Sequence, residues 1–395
     1  MQRSNDLNIK TQRRGATVAL VAVSLVVILG FTALTIDLGR LYLVRTELQA
    51  AADSAALAGA SAFANDVALA NDSGAQLLTL LRARAQQFSS LNKTLGAVTL
   101  LESADIVIGT HDFDNPGAAL DTSGTEAFNA VEITVRRTEG SANGPVGFFF
   151  ASILGRDDGG VIASARAALN DRVAVYGEES IIGRLMPYSI YSGLYDYALE
   201  NGTDGYSYDG SSVSNTGDGV PEARIFPWKW KDKELESLGV DTGGAPGNYG
   251  ALEIGSSDGS SSVLIEQITN GVSLSDVSIE FGGTDIDFQD SDGNPTSFGV
   301  SGQPGNHNSI EDALLARVGD VVAFFVHESV SGNGSNAVYK ITGIRFGRIM
   351  HVDLGGNAED NGVYIQPVVY TDQSIWVTNS AQSTSGTVGR VRLVQ

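Results

Sequence analysis

The longest uninterrupted apolar stretch of the chain lies near its N-terminus. The segment from Ala16 to Ile36 has no charged side chain. At 1.5 Å per residue, a helix of this length spans about 31 Å, which matches the hydrocarbon core of a bilayer. The pattern therefore predicts a transmembrane helix from Ala16 to Ile36.

Apolar residues continue beyond this segment at helical spacing. The steps between them alternate three and four, so they form one stripe on a helix that we expect to run from Ala16 to about Phe63. Small side chains let a partner backbone approach closely, so the stripe packs either on the protein's own following region or on helices of other proteins. The stripe consists of Leu41, Val44, Leu48, Ala51, Ala55, Ala58 and Ala62.

The next hundred residues mix helical and strand patterns. An amphipathic helix is predicted near Ala75–Leu91, and a short apolar helix between Gly144 and Gly155. Three segments have strand patterns, of which Ala130–Arg136 alternates most regularly. We expect the long helix to lie on this small sheet. The other two strand segments are Asp105–Phe113 and Gly160–Leu169.

After residue 170 the composition shifts toward Gly, Asp, Ser and Asn, which is typical of a mostly β domain. Helices are expected at Val263–Asn270 and Ile310–Val318. The predicted fold class is α+β, with a basic tail at 1–15, an anchor at 16–36, a helix-and-sheet unit at 37–170 and a β domain at 171–395. The strand segments of that domain are Ser180–Leu185, Ala251–Ile254, Val277–Phe281, Val321–His327, Ala337–Phe346, Val363–Tyr370 and Ser374–Val377.

The charge on the two sides of the apolar run predicts its orientation. Four basic residues and one acidic residue precede it, so the positive-inside rule places the N-terminus in the cytoplasm and the C-terminal part outside. A cleavable signal peptide is the alternative, although its apolar core is usually about 7–15 residues long. The basic residues are Arg3, Lys10, Arg13 and Arg14.

Composition excludes several classes of function. The chain has no cysteine, which excludes disulfides and thiolate metal sites. Its formal net charge of −21 argues against a nucleic-acid partner, because phosphate contacts need a basic face. Charged residues make up only 18% of the chain, so it does not resemble a disordered acidic tail.

Catalytic and metal-binding motifs are sparse, so neither an enzyme nor a cofactor is predicted. The four histidines (His111, His307, His327 and His351) lack metal-ligand spacing. The acidic segment Asp285–Gly293 does not fit an EF-hand loop and is interpreted as a hairpin turn, with a weak Ca²⁺ site as the alternative. Asp258–Ser262 has the order of an Asp-x-Ser-x-Ser metal motif, but the strand that should precede it directly is interrupted.

Aromatic residues in the β domain suggest either a ligand surface or ordinary core and rim packing. The second interpretation is favoured, because aromatic side chains usually pack in such domains. The residues are Trp228, Trp230, Tyr188, Tyr191, Tyr195, Tyr197, Tyr206 and Tyr208.

The order of three motifs at the N-terminus resembles the TadG-like family, which is associated with the Flp-type, tight-adherence pilus machinery of bacteria. The motifs are Asp37–Arg40 (DLGR), Gln49–Asp53 (QAAAD) and Ala56–Ala60 (ALAGA). The C-terminal residues, including Tyr339–Phe346, resemble an uncharacterised region of some Tad-like proteins.

The resemblance implies a non-enzymatic envelope component of a Tad pilus or adhesion apparatus, held in the bacterial inner membrane by a single helix. Its expected partners are the membrane and other pilus-assembly or pseudopilin-like proteins. Gly15 is followed five residues later by Leu20 rather than by glutamate, which argues against prepilin-type processing. A membrane-tethered module that binds a glycan or a cation is the alternative function.

Overall fold

The structure is a computed structural model that describes residues 12–70, 74–123, 128–224, 248–255, 260–305, 308–354, 362–381 and 383–394. The chain divides into two compact units. The first contains residues 1–56, 84–107 and 132–166, and the second contains residues 57–83, 108–131 and 167–395. The chain therefore passes several times from one unit to the other.

The described part of the chain begins with one very long helix, as the stripe and the high helix propensity of alanine predict. Six shorter helices follow it in the described residues. The helices are α1 (Gln12–Ala60), α2 (Gly74–Leu91), α3 (Glu178–Ile181), α4 (Ser192–Asn201), α5 (Ser261–Asn270), α6 (Leu274–Phe281) and α7 (Glu311–Leu315).

The strands of the first half take part in four different sheets. They are β1 (Lys93–Thr94), β2 (Ala97–Val98), β3 (Ile106–Gly109), β4 (Ala130–Arg137), β5 (Val146–Gly147), β6 (Asp158–Gly159), β7 (Val161–Asn170) and β8 (Val173–Tyr176). Strands β3, β4 and β7 share one of these sheets. Within the first unit, Arg166 on β7 forms an ion pair with Glu132 on β4 at 2.7 Å, which holds these two strands side by side.

The strands of the second half are more numerous. They are β9 (Leu185–Tyr191), β10 (Ser207–Tyr208), β11 (Val213–Ser214), β12 (Ala223–Arg224), β13 (Asn248–Leu252), β14 (Ile286–Asp287), β15 (Phe298–Pro304), β16 (Val321–Ser331), β17 (Val338–Asp353), β18 (Gly362–Pro367), β19 (Tyr370–Thr371), β20 (Ile375–Val377) and β21 (Val388–Val394). The long helix followed by this mostly β region confirms the predicted α+β class.

The second unit is built on a seven-stranded sheet with the order β12-β18-β17-β15-β13-β9-β16. Because β16 also pairs with β17, five of these strands close into a ring and leave few free edges. Successive residues of β16 point into two different cores: Phe325 packs in one and Phe324 in the other. Burial on both faces explains why this strand is a continuous apolar run rather than an alternating one.

The sequence misplaced three elements. Val277–Phe281 was predicted as a strand but belongs to helix α6, because Ser273 accepts a hydrogen bond from the N–H of Asp276 and caps the helix. Ser180–Leu185 was also predicted as a strand. Residues 178–181 form α3 instead, and Gly183, at φ +69°, turns the chain before β9 starts at Leu185.

The third misplaced element is the apolar helix predicted between Gly144 and Gly155. Residues 146–147 form strand β5, and only Ala151–Leu154 are helical, as a single 3₁₀ turn. Gly155 ends this turn in the left-handed conformation (φ +81°), as a C-terminal glycine does.

Candidate functional site

The apolar part of α1 is not covered by the rest of the chain. Among the described residues, α1 is the one helix that is long and apolar enough to cross a membrane, and none of its most apolar stretch is buried. Its exposed side chains include Val21, Val27, Ile28 and Phe31. Such a surface is unfavourable in water and favourable in lipid, which suits single-pass anchoring in a membrane.

Beyond the apolar run, one face of the same helix is buried inside the protein. Leu41 is half-buried, and Val44, Leu48, Ala51, Ala55 and Ala58 are buried. The last stripe residue, Ala62, is also buried but lies in a turn, because the helix ends at Ala60 and not near Phe63 as predicted. Neighbouring small residues such as Ala52 and Ala56 are buried with them. The stripe is therefore covered within this single chain, which supports its packing on the protein's own following region.

Polar contacts within the first unit hold this part of α1 in place. The N–H of Leu95 donates to a carboxylate oxygen of Glu47 at 2.8 Å. The side-chain amide of Asn92 donates to Ser54 Oγ at 2.6 Å, and Gln49 Nε2 donates to the carbonyl of Ser164 at 3.1 Å. These bonds come from the segments that cover the stripe, so they also fix the rotation of the helix.

The opposite face of this helix section stays exposed. Tyr42 and Leu43 are more than half exposed, and Leu38 is nearly so. A tyrosine just past an apolar run is typical of the membrane–water interface. These three side chains therefore remain exposed, unlike the residues of the alanine stripe.

The first charged residue after the apolar run is a buried carboxylate. Asp37 is only 3% exposed, and its two oxygens accept hydrogen bonds from three consecutive backbone N–H groups: Phe149 (2.8 Å), Phe150 (3.0 Å) and Ala151 (2.7 Å). These groups begin the 3₁₀ turn Ala151–Leu154, where backbone donors have no partner within the turn itself. Asp37 thus caps a turn that lies 112 residues away in sequence.

The electrostatics of this contact favour the ionised carboxylate. Burial alone would raise the pKa of Asp37, but the three N–H donors and the charge of Arg40 outweigh it and hold the pKa below its ordinary value. The Arg40 guanidinium also lies 4.4 Å from the centre of the Phe149 ring, in a cation–π contact. We call Asp37, Arg40 and the turn Phe149–Leu154 the juxtamembrane clasp.

Asp37 and Arg40 belong to the DLGR motif of the family resemblance, but that motif did not predict the clasp. One pattern pointed to it, because a carboxylate directly after a transmembrane run needs a partner to lie next to lipid. The partner is a set of backbone groups, which carry no sequence information. The sequence could therefore predict the need for a donor but not its position.

Ser189 and His327 are arranged like a catalytic dyad, but a substrate has no access to them. Ser189 Oγ lies 2.7 Å from His327 Nδ1, but both side chains are 3% exposed. The rings of Tyr339 and Tyr191 lie against His327 at 4.8 and 5.9 Å. A substrate could not reach this pair, so it acts as a buried structural contact.

Two of the other histidines lie elsewhere. His351 stacks on Tyr206, and His307 lies outside the described residues.

The acidic segment Asp285–Gly293 contains a turn that satisfies its own carboxylate. Asp290 accepts hydrogen bonds from the N–H groups of Asp292 and Asn294, both at 2.9 Å, and these bonds lower the pKa of Asp290. This agrees with a hairpin turn. Within the residues that the structure describes, no group of three or more His, Asp or Glu side chains is placed to hold a metal ion. Asp258 lies outside the described residues.

The tyrosine cluster is part of the packing of the second unit. Tyr188 and Tyr195 are buried in the core, and the other four are partly buried. Tyr206 stacks on His351 with ring centres 5.3 Å apart, and Tyr208 lies under the guanidinium of Arg348 at 3.9 Å. This agrees with core and rim packing rather than with a ligand surface. Trp228 and Trp230 lie outside the described residues.

One buried acid of the second unit is held close to neutrality. Glu222 is 5% exposed and accepts a hydrogen bond from the N–H of Gly205 at 2.9 Å. The pKa of Glu222 is raised to about 7. Burial is the main cause, and the nearby carboxylates of Asp204 and Asp218 act in the same direction, while backbone donors oppose the rise.

The N-terminal helix matches a known protein family. Residues 15–62 match the Tad family, described as "Putative Flp pilus-assembly TadE/G-like". The matched span coincides with α1 and confirms the TadG-like resemblance of the N-terminal segment. It supports involvement in a Tad pilus apparatus and suggests a non-catalytic component. The match covers 48 of the 395 residues. Comparisons with curated proteins and with solved structures each give no match.

Replacing Asp37 should open the clasp. In Asp37→Asn, one acceptor oxygen remains and the new NH₂ group faces backbone donors, so we expect amide hydrogen exchange across residues 149–151 to become about tenfold faster or more. The measurement is hydrogen exchange of the full chain in lipid nanodiscs at neutral pH. Asp53→Asn on the same helix is the matched control, because Asp53 accepts from the Gln49 side chain. Unchanged exchange at 149–151 would contradict the capping role.

Glu222 should make stability depend on pH. Its pKa is about 7 in the folded protein against 4.5 ordinarily, so the folded state holds a proton that the unfolded state releases. Stability from this group is therefore complete below about pH 4.5 and is lost as pH rises through 7. Relative to Glu222→Gln, we expect the wild type to lose up to about 3 kcal/mol between pH 4.5 and pH 8. Unfolding of the detergent-solubilised chain at both pH values measures this difference. The exposed Glu200→Gln should show no such change, and equal pH slopes for wild type and Glu222→Gln would contradict the assignment.

Proposed function

We propose that this protein is a non-enzymatic, single-pass component of a Tad-type (Flp) pilus-assembly apparatus in the bacterial inner membrane. The observation that carries the proposal is the family match at residues 15–62, which falls on the helix whose first part is apolar enough for a membrane and whose second part has one buried face. The basic tail faces the cytoplasm and the residues after the anchor lie outside it, in accord with the positive-inside rule.

Partner contact is assigned to the exposed face of α1. The alanine stripe is already covered by the chain itself, so it has no surface left for a second helix. The opposite face carries Leu38, Tyr42 and Leu43, whose apolar atoms a neighbouring helix could cover. Pseudopilin-like and secretion-platform proteins of the same apparatus are the proposed partners.

A glycan- or cation-binding module has less support. The aromatic and acidic groups that would serve it are engaged within the fold, as Tyr188, Tyr206 and Asp290 illustrate. No observation on the described residues favours that function over the pilus hypothesis.

Photo-crosslinking from the native membrane tests the partner assignment. A benzoylphenylalanine at Tyr42 should capture other pilus-assembly proteins of the host, identified by mass spectrometry. The same replacement at Trp376 is the matched control, because both side chains are 64% exposed but Trp376 lies in the second unit. Equal products at both positions, or no pilus-assembly protein at Tyr42, would count against the proposal.

Protease treatment of spheroplasts tests the orientation. With epitope tags at both ends of the full chain, we expect the C-terminal tag to be lost and a membrane-bound fragment with the N-terminal tag to survive. Release of the region after residue 36 without protease would instead indicate a cleaved signal peptide.

A further inference from the structure

The turn of the juxtamembrane clasp exposes large apolar side chains. Phe149 is 61% exposed, Phe150 is 39% exposed and Ile153 is 80% exposed, the highest value among the large apolar side chains of the described residues. Three such side chains within five positions form an apolar tip rather than a single exposed residue. Patches of this kind mark surfaces that are covered by a partner or by lipid.

The position of this tip is fixed by Asp37. The carboxylate that follows the last residue of the apolar run bonds directly to the N–H groups of Phe149, Phe150 and Ala151. The backbone of the tip therefore lies directly beside the first residue after the apolar run. If a bilayer covers the helix up to Ile36, the exposed side chains of Phe149 and Ile153 are close to its surface.

Several backbone N–H groups of the tip are already hydrogen-bonded within the protein, which suits a site with little water. Asp37 satisfies three successive donors, and the N–H groups of Ile153 and Gly155 donate to the carbonyls of Phe150 and Ser152 at 3.1 and 3.0 Å. Bonded backbone groups lose much less free energy than free ones when they leave water.

The charges around the tip do not favour binding to anionic lipid. Arg156 follows the turn, but Asp157 and Asp158 come directly after it. The Arg40 guanidinium lies against the Phe149 ring, and Ile153 on the same turn remains 80% exposed. The contact that this chemistry suits is insertion of apolar side chains at the lipid–water interface.

We propose that the tip formed by Phe149, Phe150 and Ile153 inserts into the outer interface of the membrane as a second lipid contact beside the anchor helix. The tip and the helix end form one continuous apolar surface, and the clasp sets their relative position. The proposal needs the anchor to span the membrane, but it does not need any pilus partner.

Spin labelling of the full chain in phosphatidylcholine vesicles tests the proposal. The protein has no cysteine, so Ile153→Cys gives a single labelling site at an exposed position. Collision rates with oxygen, which concentrates in lipid, and with a water-soluble nickel chelate report where the label lies. We expect Ile153→Cys to show high oxygen and low nickel accessibility.

Two further labels act as controls. Val98 is an exposed apolar residue of the same unit, on the β1–β2 hairpin. Leu95 of this hairpin donates to Glu47, which lies about 15 Å farther along α1 than Asp37, so Val98→Cys labels a position away from the tip. It should be accessible to the nickel chelate. Val27→Cys lies in the anchor and should report lipid; if it does not, the anchor itself fails and the tip proposal falls with it.

Three results would overturn the proposal while Val27→Cys still reports lipid. A nickel accessibility at Ile153 equal to that at Val98 would place the tip in water. A label inaccessible to both reagents and broadened by a second spin would show contact with another copy of the chain. Lipid contact only in vesicles that contain phosphatidylglycerol would show binding by charge rather than by apolar insertion. Phe149→Cys, labelled in the same way, should repeat the behaviour of Ile153→Cys.

Discussion

The hydrogen bonds that Asp37 accepts from three backbone N–H groups are the interaction on which the structure around the end of the apolar run depends. A carboxylate next to lipid is expensive unless it is bonded, and a short 3₁₀ turn leaves unbonded donors at its start. The Asp37 carboxylate accepts hydrogen bonds from these N–H donors, so neither the carboxylate nor the donors are left unbonded. The result ties the end of the anchor to a turn more than a hundred residues later, so residues 149–154 cannot move independently of the helix.

The same helix meets two environments in succession, and its side chains change accordingly. In the apolar run the large side chains from Val18 to Phe31 face outward on all sides, as a single helix in lipid requires. After Asp37 one face of the helix, which carries Val44 and Leu48 as well as alanines such as Ala51, is buried, while Tyr42 and Leu43 stay exposed. Small residues there let the covering segments approach the helix backbone, and Glu47 and Gln49 then find backbone partners within reach.

The sequence predicted those elements whose pattern is decided locally. Helix α1 follows from continuous apolar and alanine-rich periodicity, and strand β4 follows from strict alternation. Helix α6 was misassigned because its β-branched residues resemble a strand, whereas the cap at Ser273 decides the conformation. The clasp could not be predicted, because its donors are backbone groups and their partner is distant in sequence. The ring of five strands depends on pairing between segments that are distant in sequence. The local patterns of β16 and β17 predict that they are strands but not which strands they pair with.

A single membrane helix leaves the attached protein free to rotate about the helix axis and to tilt. The clasp bears on this freedom, because it holds the backbone of an exposed apolar turn beside Asp37, directly after the apolar run. If Phe149 and Ile153 enter the interface, rotation of the anchor would have to move them through headgroups, and tilt in one direction would lift them into water. The described part of α1 has no proline and no break up to Ala60, so an orientation fixed at the membrane extends into the first unit. A component that must present one helix face to a secretion machinery needs such a fixed rotation, and a hydrophobic anchor alone does not provide it.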